Sequence, residues 1–357
     1  MNDEGRSADD VARSVVASGV APDCAAACAI RRHVWRGEVG GSSDVLFDLA
    51  SVTKPMTAVA IARARVDLRA PLVSLVPEAR GTPSERVPLE LFLSHRAGLD
   101  GHRLLYAPLL QGGAVDPALA LHEAADARRL DAPGDPPAEG FAPLYSDLGY
   151  VLAGAALARA TGACDAGEAI ERLVLAPLGL SRAAGTVRGL AALGIVGPFA
   201  PTEDVPWRGG TVLGAVHDEN AWALTGLGGS GHAGIFGTAG AVLAFGRAVL
   251  DSLDRAGGPF DDADLGWTVA GRAAGTLRAG FDGKSSEGSS AGGCMGEESF
   301  GHLGFTGTSL WVDPKEKVVV VLLTNRVSPS RGNVEIRAAR PKAHDALFER
   351  AIFLSRS

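Results

Sequence analysis

The sequence predicts an α+β fold, in the wider α/β class, with one antiparallel sheet assembled from both ends of the chain. Three observations support this prediction. β-rich runs occur at residues 24–38 and again at 302–325, and a helical pattern flanks each of them, at 7–18 and 333–354. Between about residues 70 and 265 the pattern is mostly helical and is broken by Pro and Gly. The sheet, flanked by terminal helices, is therefore expected to carry a large and mostly helical insertion.

The N-terminal part of the chain predicts a helix, a pair of strands and a second helix. Residues 7–18 have a helical pattern, and Ser7 is placed to cap it. Residues 24–38 are rich in Ala, Cys, Ile and Val, which indicates a strand pair. The stretch from residue 51 to about residue 63 predicts a helix with an apolar face.

The rest of the chain alternates helical patterns with breaks and closes with a β-rich region. Helical patterns occupy residues 116–129, 145–161, 167–175 and 239–254. Residues 281–296 are rich in Gly and Ser and predict a loop. Two β-rich runs, 302–312 and 317–325, are joined by the turn signal Asp313-Pro314 and predict a hairpin. The VVVVLL segment of the second run is apolar on both faces, which predicts a central, covered strand.

The composition sets the scale of the molecule and excludes some classes of partner. The chain has 357 residues, 46% of them hydrophobic and 21% charged, which is ordinary for a globular protein with a sizeable core. We predict a single unit over 1–357, in which 1–65 and 268–357 form the α/β sheet subdomain and 66–267 the helical subdomain. The net charge of −7 argues against a polyanionic partner such as nucleic acid.

Cysteine usage, apolar runs and the polar start predict a cytoplasmic protein without metal or other cofactor. The four cysteines form no C-x-x-C motif and show no zinc spacing, so we expect them to be small, buried and reduced. No apolar run approaches the ~18 residues that a membrane span needs. The start, MNDEGRSADD, lacks the basic and apolar regions of a signal peptide.

One lysine of this chain stands in an unusual place. Of the 34 positive charges only five are lysines, and Lys54 lies three residues after Ser51 in an apolar stretch. A serine hydroxyl needs a base beside it to act as a nucleophile, and residues three apart on a helix share a face. Lysine can lose its proton when desolvated, whereas arginine effectively cannot. The alternative is an exposed lysine beside an unrelated serine, because this spacing alone is common.

Two further elements follow in a meaningful order. The segment LYSDLGYVLAG places Tyr145, one of three tyrosines, ahead of Ser146-Asp147, and FGHLGFTGTSLWVDP contains His302-Leu303-Gly304. Together with Ser-x-x-Lys, these elements resemble the class C β-lactamase, DD-peptidase and esterase branch of the serine β-lactamase-like superfamily. The phrases LFLSHRAGL, VHDENAWAL and GHAGIFGTAGAVLAF extend the resemblance over about residues 24–354.

The resemblance implies a β-lactamase/transpeptidase-like fold and a serine hydrolase that works through a covalent acyl-enzyme. Ser51 would be the nucleophile, and Lys54 would share its proton and keep the Tyr145 oxygen anionic or strongly polarised. Tyr145 would be the general base for acylation and deacylation. The backbone N–H groups of Ser51 and Phe305 would form the oxyanion hole, and Gly304 would leave room for the acyl group.

Three departures from the family pattern concern the substrate. His302 stands where β-lactamases carry lysine, Leu303 where Thr or Ser is usual, and Asp147 where Asn is usual. Each change weakens recognition of an anionic β-lactam or a D-Ala-D-Ala terminus and leaves the acyl-transfer residues intact. We therefore expect an esterase-like enzyme acting on a small ester, amide or short peptide-like substrate. The alternatives are a β-lactamase, a D-aminopeptidase or DD-carboxypeptidase, and a non-catalytic, penicillin-binding-like sensor.

Other polar residues have two interpretations or a structural one. His217, Asp218 and Asn220 could bind substrate or cap a helix. Ser94-His95 and His232 are expected to be structural. The match to G-x-S-x-G at residues 288–292 lies in a predicted loop, and we regard it as accidental because that motif needs a strand before it and a helix after it.

Overall fold

The computed structural model describes residues 6–356; the first five residues of the polar start and the last residue lie outside it. The strands are β1 Cys24–Arg31, β2 Trp35–Gly41, β3 Phe47–Asp48, β4 Ala184–Gly185, β5 Asp204–Val205, β6 Gly210–Thr211, β7 Phe236–Gly237, β8 Asp282–Gly283, β9 Phe300–Leu303, β10 Ser309–Asp313 and β11 Val318–Thr324. The helices are α1 Ala8–Ala17, α2 Thr53–Arg63, α3 Leu72–Leu75, α4 Leu89–Leu93, α5 Ala107–Leu110, α6 Pro117–Asp126, α7 Asp147–Thr161, α8 Ala166–Ile170, α9 Val187–Ala192, α10 Glu219–Thr225, α11 Ala239–Leu253, α12 Gly266–Val269 and α13 Ile336–Leu354.

One six-stranded antiparallel sheet joins the two ends of the chain, as predicted. Its strand order is β2-β1-β11-β10-β9-β8. The N-terminal β1 pairs with the C-terminal β11 from Cys24↔Thr324 to Ile30↔Val318. Every residue of β11 is buried, as its unbroken apolar run predicts. The α+β fold prediction is therefore confirmed.

Each face of the sheet packs against different helices because the side chains of a strand alternate between its faces. On one face, Ala25, Ala27 and Ala29 of β1 join the main core together with α11. On the other face, Cys24, Ala26, Cys28 and Ile30 pack with α1 and α13 in a second core cluster. Helix α1 begins at the predicted cap, where the Ser7 hydroxyl accepts a hydrogen bond from Asp10 N at 3.1 Å.

Three local predictions need correction. The predicted strand 302–312 is two strands, β9 and β10, because a tight turn at 304–308 interrupts it, with Gly304 N donating to Thr308 O at 2.7 Å. Tyr145 precedes α7 instead of opening it, because the helix begins at Asp147 after an Ser146 cap. Cys24 and Cys28 are buried in β1 and free, but Cys164 and Cys294 are exposed, since they lie in loops.

The nucleophile region is a short 3₁₀ turn, Ala50–Val52, that leads directly into α2. Residues 53–61 of α2 are all buried. The helix is therefore enclosed, whereas the sequence predicted a helix with one apolar face. Helix α11 belongs to the segment predicted as helical subdomain, yet its Gly246 lies against Val319 and Leu310 of the sheet. The subdomain boundaries stay a prediction.

None of the helices within residues 6–356 is both long and apolar enough to cross a membrane.

Candidate active site

A hydrogen-bonded turn holds Ser51 in place. Buried Asp48 accepts hydrogen bonds from Ala50 N at 2.8 Å and from His217 N at 2.7 Å. Ala50 has a left-handed φ of 47°, which is strained for a residue with a side chain. The Asp48 carboxylate thus ties the turn immediately before Ser51 to the segment that contains His217. Asp48 was not predicted as part of the site, although it lies only three residues before Ser51.

Lys54 bridges Ser51 and Asp147. Its fully buried ammonium donates to Ser51 Oγ at 2.8 Å and to Asp147 Oδ1 at 2.6 Å. Burial by itself lowers the pKa of Lys54, but the interactions with Asp147 and, after it, Tyr145 outweigh burial and raise that pKa. Burial raises the pKa of Asp147, and the Lys54 charge reverses this to a net lowering. The resting site therefore holds a protonated lysine and an ionised aspartate.

The Tyr145 ring lies beside this ion pair. The Nζ atom of Lys54 is 4.8 Å from the Tyr145 ring centroid. Burial raises the pKa of Tyr145, and polar interactions with Lys54 and Ser51 only partly oppose that effect. The phenol is therefore protonated at rest and has to lose its proton before it can act as a base.

Two neutral imidazoles pack against the Tyr145 ring. The ring of His95 stacks on it at 4.7 Å and 25°, and the ring of His302 is tilted at 6.0 Å and 46°. Burial, followed by the charge of Lys54, lowers the pKa of both histidines to about 3. The Nδ1 atom of His95 accepts from Ser146 N at 3.0 Å. His95, predicted to be structural, thus holds both the ring and the backbone next to Tyr145.

Strand β9 directs His302 and Leu303 to opposite sides. The Nδ1–H of His302 donates to Leu303 O at 2.8 Å, so its neutral Nε2 can only accept. Leu303 packs against the second core cluster with α1 and α13. Neighbouring residues on a strand face opposite sides, so Leu303 faces this cluster while His302 faces Tyr145. The contact of Leu303 with substrate stays a prediction.

The turn after β9 is tied to the nucleophile turn. Thr306 Oγ1 donates to Asp48 O at 2.7 Å, and Thr308 Oγ1 donates to Leu49 O at 2.9 Å. A Cβ atom on Gly304 would overlap both Thr308 Oγ1 and Leu49 O. Glycine is thus required by the close approach of two backbone segments. This arrangement brings the Phe305 segment against the Ser51 turn, as an oxyanion hole built from both would require.

A cavity of about 310 Å³ opens beside Ser51. Its lining consists of Ala50, Ser51, His102, Leu104, Tyr106, Asp147, His217, Asp218, Glu219, Ala233, Phe305 and Arg331. The Phe305 side chain is 48% exposed at this surface and carries His217 stacked on it at 5.7 Å. The cavity therefore combines apolar walls with several charged groups.

Asp218 caps a helix, which is one of its two predicted interpretations, and it also lines the cavity, whereas Asn220 is not among the lining residues. Asp218 Oδ1 caps α10 through Ala221 N at 2.8 Å and accepts from His232 Nε2 at 2.8 Å, while its residue also lines the cavity. Asn220 is buried, and its amide holds Arg103 O at 2.8 Å and Tyr106 N at 3.2 Å. Asn220 thus positions the loop whose side chains form one wall.

Arg331 was not predicted as a site residue. Its guanidinium pairs with Glu203 and, at 2.6 Å, with Glu219. The sequence offers no signal for this, since Arg331 lies in a loop more than a hundred residues after both partners. The serine of the accidental G-x-S-x-G match, Ser290, lies in a loop with no helix after it and is held through its carbonyl by His344 Nδ1 at 2.6 Å.

The described residues contain no cluster of three or more side chains suited to hold a metal ion. The side chains that meet at Ser51 are instead Lys54, Asp147 and Tyr145. A family model described as Beta-lactamase matches residues 8–344. The chain belongs to the beta-lactamase family.

Curated relatives of this beta-lactamase-family protein include proteins of Salmonella typhi and Salmonella newport that carry the description "Putative D-alanyl-D-alanine carboxypeptidase". Each is 28% identical over 211 residues, which is 51% of this chain and 45% of the relative. The match therefore spans about half the length of either protein.

Solved structures with the same fold include functionally different members. A class C beta-lactamase from Rhodobacter sphaeroides has a TM-score of 0.64 at 18% identity and covers 94% of this chain and 97% of its own. EstCE1, described as a hydrolase with promiscuous acyltransferase activity, has a TM-score of 0.65 at 20% identity. The match covers 95% of this chain and 96% of EstCE1. A beta-lactamase from Mycobacterium bovis has a TM-score of 0.60 at 20% identity, and the match covers 94% of this chain and 97% of the Mycobacterium bovis protein. At these identities the likeness shows the fold alone.

Proposed function

We propose that this beta-lactamase-family hydrolase forms a covalent acyl-enzyme on Ser51 and acts on small esters or amides. The observation that carries the proposal is the contact of Ser51 Oγ with Lys54 Nζ at 2.8 Å, next to the Tyr145 ring. A serine hydroxyl alone is a weak nucleophile, and here it has a charged donor and a candidate base beside it. No metal or other cofactor takes part in the proposed reaction.

The proposed reaction has two steps that use the same residues. Tyr145, once deprotonated, takes the Ser51 proton while Oγ bonds to the substrate carbonyl carbon. The bond to the leaving group then breaks, and that group receives the proton from Tyr145. A water molecule attacks the acyl-Ser51 ester, again losing its proton to Tyr145, and the acid is released. The backbone N–H groups of Ser51 and Phe305 would hold the carbonyl oxygen in both steps.

The charges around the cavity support an esterase or amidase more than a β-lactamase. A β-lactam carries a carboxylate that needs a donor, but His302 is neutral and its Nδ1–H is already used by Leu303 O. Arg331 lines the cavity, but its positive charge is paired with Glu203 and Glu219. Asp147 adds a negative charge to the same wall. An anionic substrate would therefore find the cations beside Ser51, Lys54 and Arg331, already paired with carboxylates.

The experiment is intact-protein mass spectrometry with a fluorophosphonate probe, together with turnover of p-nitrophenyl butyrate and nitrocefin. We expect one label per chain, ester turnover and a much lower kcat/KM for nitrocefin. Ser51→Ala should abolish labelling and turnover, and Ser290→Ala is the matched control that should retain both. Labelling that persists in Ser51→Ala would contradict the proposal. Faster hydrolysis of nitrocefin than of the ester would contradict the esterase assignment. A stable acyl adduct formed from nitrocefin or the ester, with no turnover, would favour the sensor alternative.

A further inference from the structure

Tyr145, the proposed base, lies where regular secondary structure does not hold it. Residues 143–146 form neither helix nor strand, and α7 begins only at Asp147. Tyr145 is also 36% exposed, so packing encloses only part of it. A general base has to stay within hydrogen-bond reach of the proton that it abstracts. The phenol therefore needs other contacts that keep it beside Ser51.

His95 binds the backbone on both sides of Tyr145. Its carbonyl oxygen accepts a hydrogen bond from Leu144 N at 3.1 Å, and its ring Nδ1 accepts one from Ser146 N at 3.0 Å. The residues immediately before and after the tyrosine are thus held by one histidine. A shift of this histidine would change the position of the tyrosine backbone directly.

The His95 ring also links Tyr145 to the interior of the protein. It stacks on the Tyr145 ring with the centroids 4.7 Å apart, and its centroid lies 5.3 Å from that of Tyr150. Tyr150 is fully buried in α7, and its hydroxyl donates to Leu93 O at 2.9 Å. Aromatic pairs at these separations stabilise each other. The partly exposed base is therefore connected to a fixed side chain through one imidazole.

The backbone conformation of His95 favours glycine, yet a histidine occupies it. Its φ is 61°, in the left-handed region, and it follows Ser94, the residue that caps the end of α4. Glycine is common directly after a helix because it adopts this conformation without strain. Glycine has no ring, however, and could make neither the stack on Tyr145 nor the bond to Ser146 N. Backbone strain of this kind clusters at active sites.

The charge state of His95 suits it to hold Tyr145 and not to exchange protons with it. Burial, followed by the charge of Lys54, lowers the pKa of His95 to about 3. The ring is therefore neutral at the pH of ester hydrolysis, and its Nδ1 lone pair is available to Ser146 N. A protonated ring would lose this acceptor.

We propose that His95 is a positioning residue for catalysis: its ring and its carbonyl oxygen hold Tyr145 where the phenol can take the Ser51 proton. The inference rests on the proposed function of Ser51 and Tyr145. His95 is not among the residues that line the cavity. Replacing it should therefore lower the acylation rate constant and leave the dissociation constant of the substrate unchanged.

The test is single-turnover release of p-nitrophenol from p-nitrophenyl butyrate, with the enzyme in excess, which measures those two constants separately. His95→Phe keeps a ring and loses the Nδ1 acceptor, whereas His95→Asn keeps an acceptor and loses the ring. Each should slow acylation about tenfold, as expected for one lost interaction. His95→Gly loses both contacts and should slow it about 100-fold. His33→Gly, at an exposed histidine in the turn between β1 and β2, is the matched control and should keep the wild-type rate.

The glycine variant separates positioning from a merely structural role. Glycine relieves the left-handed strain, so a structural role predicts that His95→Gly is the mildest of the three variants, whereas positioning predicts that it is the slowest. Added imidazole should restore part of the fluorophosphonate labelling rate of His95→Gly and leave that of His33→Gly unchanged. His95→Asn also suits a left-handed backbone, so the test does not depend on the folding of one variant.

A double variant shows whether His95 acts through Tyr145. If it does, adding His95→Gly to Tyr145→Phe should slow the labelling of Ser51 by less than about twofold beyond Tyr145→Phe alone. An additive loss, a wild-type acylation rate in His95→Gly, or a change in the substrate dissociation constant alone would overturn the positioning role and leave the proposed function standing. A wild-type rate in Tyr145→Phe would overturn both the assignment of Tyr145 as base and the role of His95.

Discussion

At the scale of single residues, Asp147 changes what Lys54 can do. A buried lysine beside a serine can serve as a base only if it is neutral, and burial by itself favours that form. The ion pair with Asp147 at 2.6 Å reverses this preference and raises the Lys54 pKa. Lys54 is therefore a charged hydrogen-bond donor in the resting site, which favours Tyr145 as the proposed base. The expectation that Lys54 shares the Ser51 proton stays a prediction.

Asp147→Asn should move the pH dependence of ester hydrolysis to lower pH. Burial raises the pKa of Tyr145, and the Asp147 charge raises it further. Removing that charge lowers the Tyr145 pKa, so the active phenolate forms at lower pH and the rising limb of kcat/KM shifts in the acidic direction. The profile is measured with neutral p-nitrophenyl butyrate from about pH 6 to pH 10, with Asp44→Asn, at an exposed aspartate outside the cavity, as control. A limb that stays in place or moves to higher pH would show that Asp147 does not govern Tyr145.

At the scale of elements, the site depends on the contact between the turn after β9 and the turn before α2. Thr306 and Thr308 each donate a hydrogen bond to a backbone carbonyl of residues 48–49. Gly304 lies where the two segments are closest. The position of the predicted oxyanion donors thus follows from the packing of two turns that are about 250 residues apart in sequence.

Gly304→Ala should separate these two turns. The added Cβ would overlap Thr308 Oγ1 and Leu49 O, so the β9 end must move away from Ser51. A displacement of about 1 Å in a catalytic site can reduce the rate ~100-fold. We expect a loss of that order in the rate of fluorophosphonate labelling, measured by quenched-time mass spectrometry.

Two further variants make the Gly304 result specific. Gly271→Ala is the control, because a Cβ there meets no atom within 4 Å. Adding Thr308→Ala to Gly304→Ala removes one of the two overlaps and should restore part of the labelling rate. A normal rate in Gly304→Ala would mean that the close approach is not needed for acylation.

At the scale of the whole molecule, the last helix supports the site from behind the sheet. Arg340 of α13 is buried, and its Nη2 donates to Gly304 O at 2.9 Å and to Thr308 O at 3.1 Å. Burial lowers the pKa of Arg340 to about 10, which still leaves it charged at neutral pH. The C-terminal helix therefore holds the same turn that contacts the nucleophile segment.

Arg340→Met should lower the free energy of unfolding and slow acylation. The variant leaves two carbonyl oxygens without their charged donor, which costs about 2 kcal/mol. Chemical denaturation measures the stability, and the fluorophosphonate labelling rate measures the effect on the site. Arg337→Met, at an exposed position on the same helix, is the matched control. If both variants behave alike, Arg340 does not support the turn.

The sequence by itself determined the fold class and the order of the catalytic elements. The VVVVLL run predicted a covered central strand because only a strand enclosed on both faces is apolar at every position, and β11 is such a strand. Ser51, Lys54, Tyr145 and His302 were found from spacing and from a family resemblance, and the structure brings them together around one ring and one ammonium. These features are encoded locally, in residue type and in short intervals along the chain.

Only the tertiary structure decided the charges of the site and the lining of its cavity. Asp147 lies 93 residues after Lys54, and Asp218 reaches the same cavity from a distant segment, where it accepts a hydrogen bond from His232. Whether Leu303 faces substrate or core depends on the register of β9, and whether Arg331 is free depends on glutamates far away in sequence. Burial and partner distance set the pKa of each group, and neither quantity exists until distant segments pack together.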